Sequence, residues 1–328
     1  MSNQVVNRKC LGFFPTPIVE LNSLEKYFGG PKIFMKRDDM TGLAFGGNKT
    51  RKLEYFLGDA IEKNYDTIIT GGAEQSNHCR QTAAAAAMCG LECHLVLGGT
   101  EPEITSGNLL LDKLLGAQIH WAGEFRKGEK IPTVVEELNS KGKKTYIIPY
   151  GGSNEIGALG FVEAVKEISD QLKSMNQKIS QIYFASSSAG THAGLLVGKY
   201  LYKQEFELIG IQIDKEENET LSLDQKIIDI ANRTAKLLGI DINFKFPDVI
   251  LKNEYLGGGY GIVGDLERRA ISLAAKYEGI LVDPVYTGRA LGGMIDLIER
   301  NIISKKENVL FWHTGGSPAI FSSKYKLI

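Results

Sequence analysis

The stretch Thr67-Ile-Ile-Thr-Gly-Gly-Ala-Glu-Gln-Ser-Asn-His-Cys-Arg-Gln-Thr-Ala-Ala-Ala-Ala-Ala-Met-Cys-Gly-Leu-Glu-Cys-His-Leu-Val-Leu97 changes character twice. Its β-branched opening, Thr67 to Thr70, reads as a strand. Gln75 to Cys89 is rich in alanine, the strongest helix former, and reads as a helix. Cys93 to Leu97 returns to a short apolar run. Strand, helix and strand in this order make a βαβ unit, whose strands lie parallel in one sheet.

The alternation continues outward. A helix is expected near Asn108 to Leu115, a strand at Gln118 to Trp121, a helix near Pro132 to Ser140 and a strand at Thr145 to Ile148. Glu155 to Leu172 places Ile156, Leu159, Val162, Val165, Ile168 and Leu172 close to a period of 3.6, so it reads as a helix. A second series follows: strand Gln181 to Ala185, helix His192 to Tyr202, strand Leu208 to Ile213 and helix Leu221 to Leu238. It continues with helix Val263 to Tyr277, strand Ile280 to Val282, helix Gly288 to Arg300 and strand Val309 to Trp312. The fold class is α/β, with two lobes, each holding a mostly parallel sheet flanked by helices. Ligands are expected outside the carboxyl ends of the strands, between the lobes.

Composition narrows the function. The 328 residues are 43% hydrophobic and 23% charged, with net charge −1, which suits a packed globular chain. Lys and Arg are scattered, and Lys141, Lys143 and Lys144 make a solvated loop rather than a basic stripe, so no nucleic-acid partner is expected. No apolar run reaches the about 18 residues of a membrane span. Four cysteines, Cys10, Cys79, Cys89 and Cys93, with no leader sequence before them, fit a cytoplasmic protein without a disulfide framework. Cys79, Cys89 and Cys93 read as small buried hydrophobes, and no metal site is expected.

Glycine pairs and triplets punctuate the chain at Gly46-Gly47, Gly71-Gly72, Gly151-Gly152, Gly257 to Gly259 and Gly315-Gly316. Each alone can be an ordinary turn; together they suggest loops that approach one shared ligand. Gly42-Leu-Ala-Phe-Gly-Gly-Asn-Lys-Thr50 resembles a phosphate-binding P-loop, but Asn48 stands where a glycine must precede the lysine, so the nucleoside triphosphatase reading fails. Dinucleotide-binding and serine-hydrolase motifs are absent as well. What remains is Lys49 in a glycine-rich loop and a distant loop, Ser186-Ser-Ser-Ala-Gly-Thr191, between a strand and a helix. That loop is either a capped helix start or a cup for a phosphate monoester. A lysine able to form an imine, with a separate phosphate cup, is what pyridoxal 5′-phosphate needs.

Lys36-Arg-Asp-Asp-Met40 followed by Gly46-Gly-Asn-Lys-Thr-Arg-Lys-Leu-Glu54 resembles the pyridoxal-phosphate enzymes of the 1-aminocyclopropane-1-carboxylate deaminase and D-cysteine desulfhydrase family. So do Gln75-Ser-Asn-His-Cys-Arg-Gln81, Ala189-Gly-Thr-His-Ala-Gly194, Asp283-Pro-Val-Tyr-Thr-Gly288 and His313-Thr-Gly-Gly316. The blocks run in order from Pro15-Thr-Pro17 almost to the C-terminus. The resemblance implies the tryptophan-synthase-β-like fold, fold type II, with a large cofactor-binding domain of residues 1–51 and 161–328 and a small inserted domain of residues 52–160. It also implies a homodimer acting on a small amino acid.

Residue by residue, the resemblance makes Lys49 the covalent holder of the cofactor and Lys52 a phosphate partner; Lys52 read by itself is equally a surface lysine. Asn77 would bond the phenolic oxygen, and Ala189, Gly190 and Thr191 would hold the phosphate. Tyr286 would stack on the ring, and Thr314 would face its nitrogen. Ser76 would sit near the substrate carboxylate, and Tyr260 and Tyr286 would line the substrate side. Lys49 is the first candidate for the base at Cα. His78 and His313 read as structural donors.

The implied reaction is α,β-elimination, and the substrate branch has three readings. D-cysteine desulfhydration comes first, because Tyr286-Thr287-Gly288 with Ser76-Asn77-His78 is closer to that branch. L-cysteate sulfur elimination comes second, with Arg80 as either a sulfonate-binding cation or a helix-surface residue. Cyclopropane deamination comes third, since those enzymes generally carry Glu where this chain has Thr287. A different class, a noncatalytic α/β protein that binds an amino acid or nucleotide through the same loops, predicts no visible absorption.

Overall fold

In the computed structural model, which describes residues 6–215 and 220–327, two sheets organise the chain. It begins with β1 (Ile18–Glu20), α1 (Asn22–Phe28) and β2 (Lys32–Arg37), then enters α2 (Lys49–Glu62). The next stretch alternates: β3 (Thr67–Ala73), α3 (Asn77–Cys89), β4 (Glu92–Gly98), α4 (Gly107–Leu114), β5 (Gln118–Trp121), α5 (Ile131–Ser140) and β6 (Thr145–Ile147). After α6 (Glu155–Ser174) come β7 (Gln181–Ser186), α7 (Gly190–Leu201), β8 (Glu207–Gln212), α8 (Leu223–Leu237) and β9 (Ile250–Lys252). Helices α9 (Asp265–Glu278) and α10 (Thr287–Glu299) precede β10 (Asn308–His313).

The six-stranded sheet has the order β1-β2-β10-β7-β8-β9, parallel except for the β1–β2 pair, and the four-stranded sheet, β5-β4-β3-β6, is parallel throughout. Strand β10 is last in sequence but central in its sheet, where Leu310 lies in register with Phe34 on one side and Ile182 on the other. Such a reversal of strand order leaves a crevice at the carboxyl ends. Among the described residues, no helix is long and apolar enough to cross a membrane.

Local chemistry sets the helix limits. Ser76 caps α3 by accepting a hydrogen bond from the Cys79 N–H at 3.2 Å, and Gly90 ends it in the left-handed conformation. Asn154 caps α6 through the N–H groups of Ile156 and Gly157. The periodic face of α6 is buried against α7, α8 and the six-stranded sheet through Phe161, Val162, Val165, Ile168 and Leu172. Helix α2 instead buries Leu53, Phe56, Leu57 and Ala60 with the four-stranded sheet and α3. At Gly160, where α6 crosses α2, an added Cβ would lie 2.3 Å from the Arg51 carbonyl oxygen, so the two helices touch through backbone.

One expected strand is absent. Ile280 to Val282 buries its first and third residues as a strand would, yet it joins no ladder. The Leu281 carbonyl oxygen lies 3.0 Å from His313 Nε2, so a side chain takes the place of a neighbouring strand. Conversely, β1, β2 and β9 were not anticipated. β2 carries Lys36, a charge fully buried inside the fold, which hides its strand pattern.

Lys36 belongs to a cluster that fixes α2 against the six-stranded sheet. Arg51, on α2, makes a bidentate pair with Asp38, with both distances 2.8 Å, and reaches Glu167 on α6 at 2.9 Å. Lys36 Nζ donates to Glu167, Gln171 and the Thr16 carbonyl oxygen. Burial alone would raise the Glu167 pKa, but Arg51 and Lys36 outweigh it and hold the carboxyl down to about 2. Its stabilising contribution is therefore complete above the ordinary value of 4.5 and disappears as pH falls towards 2. Glu167→Gln is expected to cost roughly 3 kcal/mol at pH 7. Urea melts from pH 7 to pH 2 should show the variant losing less stability than the wild type between pH 5 and 2.

Candidate active site

Loops at the carboxyl ends of both sheets meet around one small cavity that opens to solvent. Asn48 and Lys49 reach it from the start of α2, Ser76, Asn77 and His78 from the start of α3, and Tyr150 and Gly151 from the loop after β6. Ala185 to Ser188 come from the end of β7, Thr191 and His192 from the start of α7, Tyr286 from the start of α10 and Thr314 from the end of β10. No Asp, Glu or Arg lines the cavity among the described residues.

Lys49 and Lys52 are one helical turn apart, so their side chains leave α2 on the same face. Both ammonium groups donate to a single acceptor, the Gly151 carbonyl oxygen, at 3.0 and 3.1 Å. Burial lowers the Lys49 pKa to about 8. Burial, followed by repulsion from Lys49, drives Lys52 far below its ordinary value. Lys52 is completely enclosed, so its reading as a surface lysine does not hold. Two buried amines with one neutral carbonyl between them lack a counter-anion among the described residues.

The surroundings suit an anion. Ser153 Oγ lies 3.4 Å from Lys52 Nζ, accepts from the Gly190 N–H at 3.3 Å and bonds Ser188 Oγ at 2.9 Å. Ala189 has a positive φ of 69°, uncommon for a residue with a Cβ, and this turns the chain into α7. A Cβ on Gly190 would stand 2.8 Å from Ser153 Oγ and 3.1 Å from Lys52 Nζ. The N-terminus of α7 therefore opens beside the Lys52 amine, where N–H donors and the helix dipole add to its charge. Asn48 Nδ2 donates to Thr191 Oγ1 at 3.2 Å, joining the lysine loop to this cup.

The opposite side is built from phenols and hydroxyls. Tyr286 lines the cavity and its hydroxyl meets that of Tyr260 at 2.6 Å. Tyr260 stands behind Tyr286 and outside the lining set. Burial pushes both phenols well above their ordinary range, so both stay protonated at neutral pH. Arg289, paired with Glu267, holds the loop that carries Tyr260 by donating to the carbonyl oxygens of Gly259 and Ile262 at 3.0 and 2.8 Å. His192 is lowered by burial to about 3, and His78 is lowered by burial and by the nearby lysines, so both rings are neutral.

Of the sequence-predicted residues, Lys49, Ser76, Asn77, Thr191, Tyr286 and Thr314 line the cavity. Lys52, Ala189 and Gly190 lie directly behind it, at the anion cup. His313 is held structurally between the Leu281 carbonyl oxygen and the Gly315 N–H. Arg80 is neither a helix-surface residue nor a cation of the pocket: it is fully buried, with its guanidinium bonded to Asn108 and the Gly46 carbonyl oxygen. Tyr150, Gly151 and Ser153 were not singled out as site residues, whereas Ser188 lies in the expected phosphate loop 186–191. Only the Gly151-Gly152 pair signalled that this turn reaches a ligand.

A lysine amine of lowered pKa beside a cup for a phosphate monoester fits pyridoxal 5′-phosphate, and the fold and site define an α/β enzyme using that cofactor. The chain belongs to the family described as pyridoxal-phosphate dependent enzyme, whose profile matches residues 10–315. A solved structure of an ACC deaminase homologue is similar with a TM-score of 0.87 and 37% identity, over 96% of this chain and 93% of that one. A hydrogen sulfide-producing enzyme from Fusobacterium nucleatum shares the fold, with a TM-score of 0.67 and 16% identity over 97% and 96% of the two chains. The architecture is thus the tryptophan-synthase-β-like one that the sequence blocks implied.

The lowered Lys49 pKa has a direct consequence in cofactor-free protein. Its amine is neutral above about 8, whereas an ordinary lysine needs about 10.5. Acylation at Lys49, followed by peptide mass spectrometry, should reach half its maximal rate near pH 8. A midpoint near 10.5 would contradict the burial argument.

Proposed function

We propose that this protein is a pyridoxal-phosphate-dependent carbon–sulfur lyase that eliminates the β-thiol of D-cysteine, with water completing the conversion to pyruvate, hydrogen sulfide and ammonia. The observation that carries this reading is the charge pattern of the cavity: apart from Lys49, with Lys52 behind it, the lining is of neutral groups. Lys49 holds the cofactor, and Lys52 with residues 189–191 binds its phosphate. A substrate with one carboxylate finds donors at Ser76 and Asn77, where the N-terminus of α3 adds its dipole.

When bound, the cofactor supplies a sink for the electron pair left at Cα. Lys49 is the base at Cα: once the substrate has taken its place, its amine is free and close to neutral pH in its affinity for a proton. Tyr286, backed by Tyr260, carries the phenolic proton that the departing sulfur needs. Thr314 offers the ring nitrogen a neutral hydroxyl, and a group without charge cannot hold that nitrogen protonated. This favours rapid loss of a leaving group at Cβ over reprotonation at another carbon.

L-Cysteate ranks second, because its sulfonate would need a further cation and Arg80 is committed elsewhere. Cyclopropane ring opening ranks third. Thr287 is buried and bonds the Asp283 carboxylate at 2.7 Å, so the position after Tyr286 offers no acid. The similarity to an ACC deaminase homologue supports the branch of the family and leaves the substrate to experiment. A homodimer, a cytoplasmic location, and a division into residues 1–51 with 161–328 against 52–160 belong to the same proposal.

Purified protein with the cofactor should be yellow and lose that band on borohydride treatment. Offered D-cysteine, L-cysteine, L-cysteate and 1-aminocyclopropane-1-carboxylate side by side, it should release sulfide and pyruvate fastest from D-cysteine. Sulfite from cysteate, or 2-oxobutyrate from the cyclopropane, as the dominant product would replace this assignment. Lys49→Ala should lower turnover by about 10²- to 10⁴-fold or more; retained pyruvate formation would refute its role.

A further inference from the structure

Asn108, in the first turn of α4, is fully buried, and its amide is fixed by two neighbours of unambiguous polarity. Arg80 Nη1, which can only donate, lies 3.0 Å from Oδ1. The Gln75 carbonyl oxygen, which can only accept, lies 2.9 Å from Nδ2. Both ends therefore assign the amide the same way round. The same Nδ2 lies 2.9 Å from the side-chain oxygen of Asn77. A donor at that point requires an oxygen opposite it, so the Asn77 amide is fixed in turn. Its nitrogen is then directed towards Gly316, where an added Cβ would stand only 2.9 Å from it, on the Thr314 side of the cavity.

We propose that Arg80 and Asn108 are positioning residues that make Asn77 present an N–H, never a carbonyl oxygen, to the phenolic oxygen of bound pyridoxal 5′-phosphate. The inference rests on the cofactor site assigned above. The guanidinium suits this task because it stays charged at neutral pH and its planar fork serves two acceptors at once: Arg80 Nη2 also donates to the Gly46 carbonyl oxygen at 2.6 Å, in the loop that leads to Lys49. An N–H on the phenolic oxygen draws electron density from it. That weakens its hold on the proton of the nitrogen linking cofactor and lysine, which lowers the pH at which this proton leaves.

Asn108→Asp is nearly isosteric and keeps an oxygen towards Arg80, but it replaces the donor facing Asn77 with an acceptor. The Asn77 amide then turns over and offers its oxygen to the cofactor. Asn108→Ala leaves the Asn77 amide free to choose its orientation. The measurement is the pH midpoint of the visible cofactor band in full-length protein saturated with pyridoxal 5′-phosphate. Lys49, His78, His192, Tyr150 and Tyr286 line the cavity in every variant, with Lys52 behind it and Asp112 and Asp283 acting on Arg80. Asn108→Asp adds a carboxylate as well as turning the amide, whereas Asn108→Ala frees the amide without adding charge, so the relay requires a rise in both. The midpoint is expected to rise by about one pH unit in Asn108→Asp and by less in Asn108→Ala. The cofactor Kd should weaken about tenfold in Asn108→Asp.

A shift in Asn108→Asp no larger than that in Asn108→Ala would overturn the relay. If Asn108→Asp does not fold, Asn77→Asp serves: one carboxylate oxygen keeps the bond to Asn108 and the other faces the cofactor. The midpoint should again rise, and an unmoved midpoint would overturn the relay. Wild-type protein without a borohydride-sensitive band would instead bring down the cofactor assignment, and the relay with it.

Discussion

Two amines share the Gly151 carbonyl oxygen in the interior of this protein, and among the described residues no carboxylate lines the cavity beside them. Burying unpaired charge costs several kcal/mol, so the fold must hold this arrangement in place by other contacts. Burial lowers both pKa values, with repulsion from Lys49 adding to the fall at Lys52, so the Lys49 amine loses its proton near pH 8. An arriving phosphate supplies the missing negative charge. On the proposed reading, the same unbalanced pair would draw in the anionic tail of the cofactor and prepare the amine that would hold its other end.

Helix α2 is what imposes that strain. It directs Lys49 and Lys52 towards the cavity, Leu53, Phe56 and Leu57 towards the four-stranded sheet, and Arg51 into the cluster with Asp38 and Glu167. Each face is thus committed to a different part of the fold. The Arg51 cluster locks the helix to the six-stranded sheet and to α6, and the bare crossing at Gly160 fixes its depth. A charge cluster at the back of the helix consequently determines the reach of the lysines at the front.

The alternating elements from β3 to β8 were legible because each has one clear period and each strand is apolar. β2 was not, since its pattern is interrupted by Lys36, whose burial is possible only through Glu167, Gln171 and Thr16 from distant segments. Ile280 to Val282 shows the reverse: burial of alternate residues produces a strand-like pattern, but a strand also needs a neighbour, and here His313 fills that position. Lys49 and the loop 186–191 could be singled out because a lysine and a glycine turn carry chemistry in their residue types. Tyr150 and Ser153 are common residues whose relevance comes from the meeting of their loop with Ser188 of the other, and nothing local marks it.

Arg80 shows why residue type alone does not locate charge. An arginine in an otherwise neutral helix invites assignment as a ligand for a sulfonate, yet both of its outer nitrogens are used on carbonyl and amide oxygens. Its burial, with a pKa lowered to about 10 by desolvation, is tolerable because it satisfies acceptors that no water reaches. The result is a cavity whose chemistry depends on oriented dipoles more than on charge. Amides, hydroxyls and helix termini hold their direction as charge moves during a reaction, whereas mobile ions would follow it. On the proposed reading, a site built this way would accommodate a single carboxylate and a small neutral side chain, with Arg80 already committed to its own acceptors.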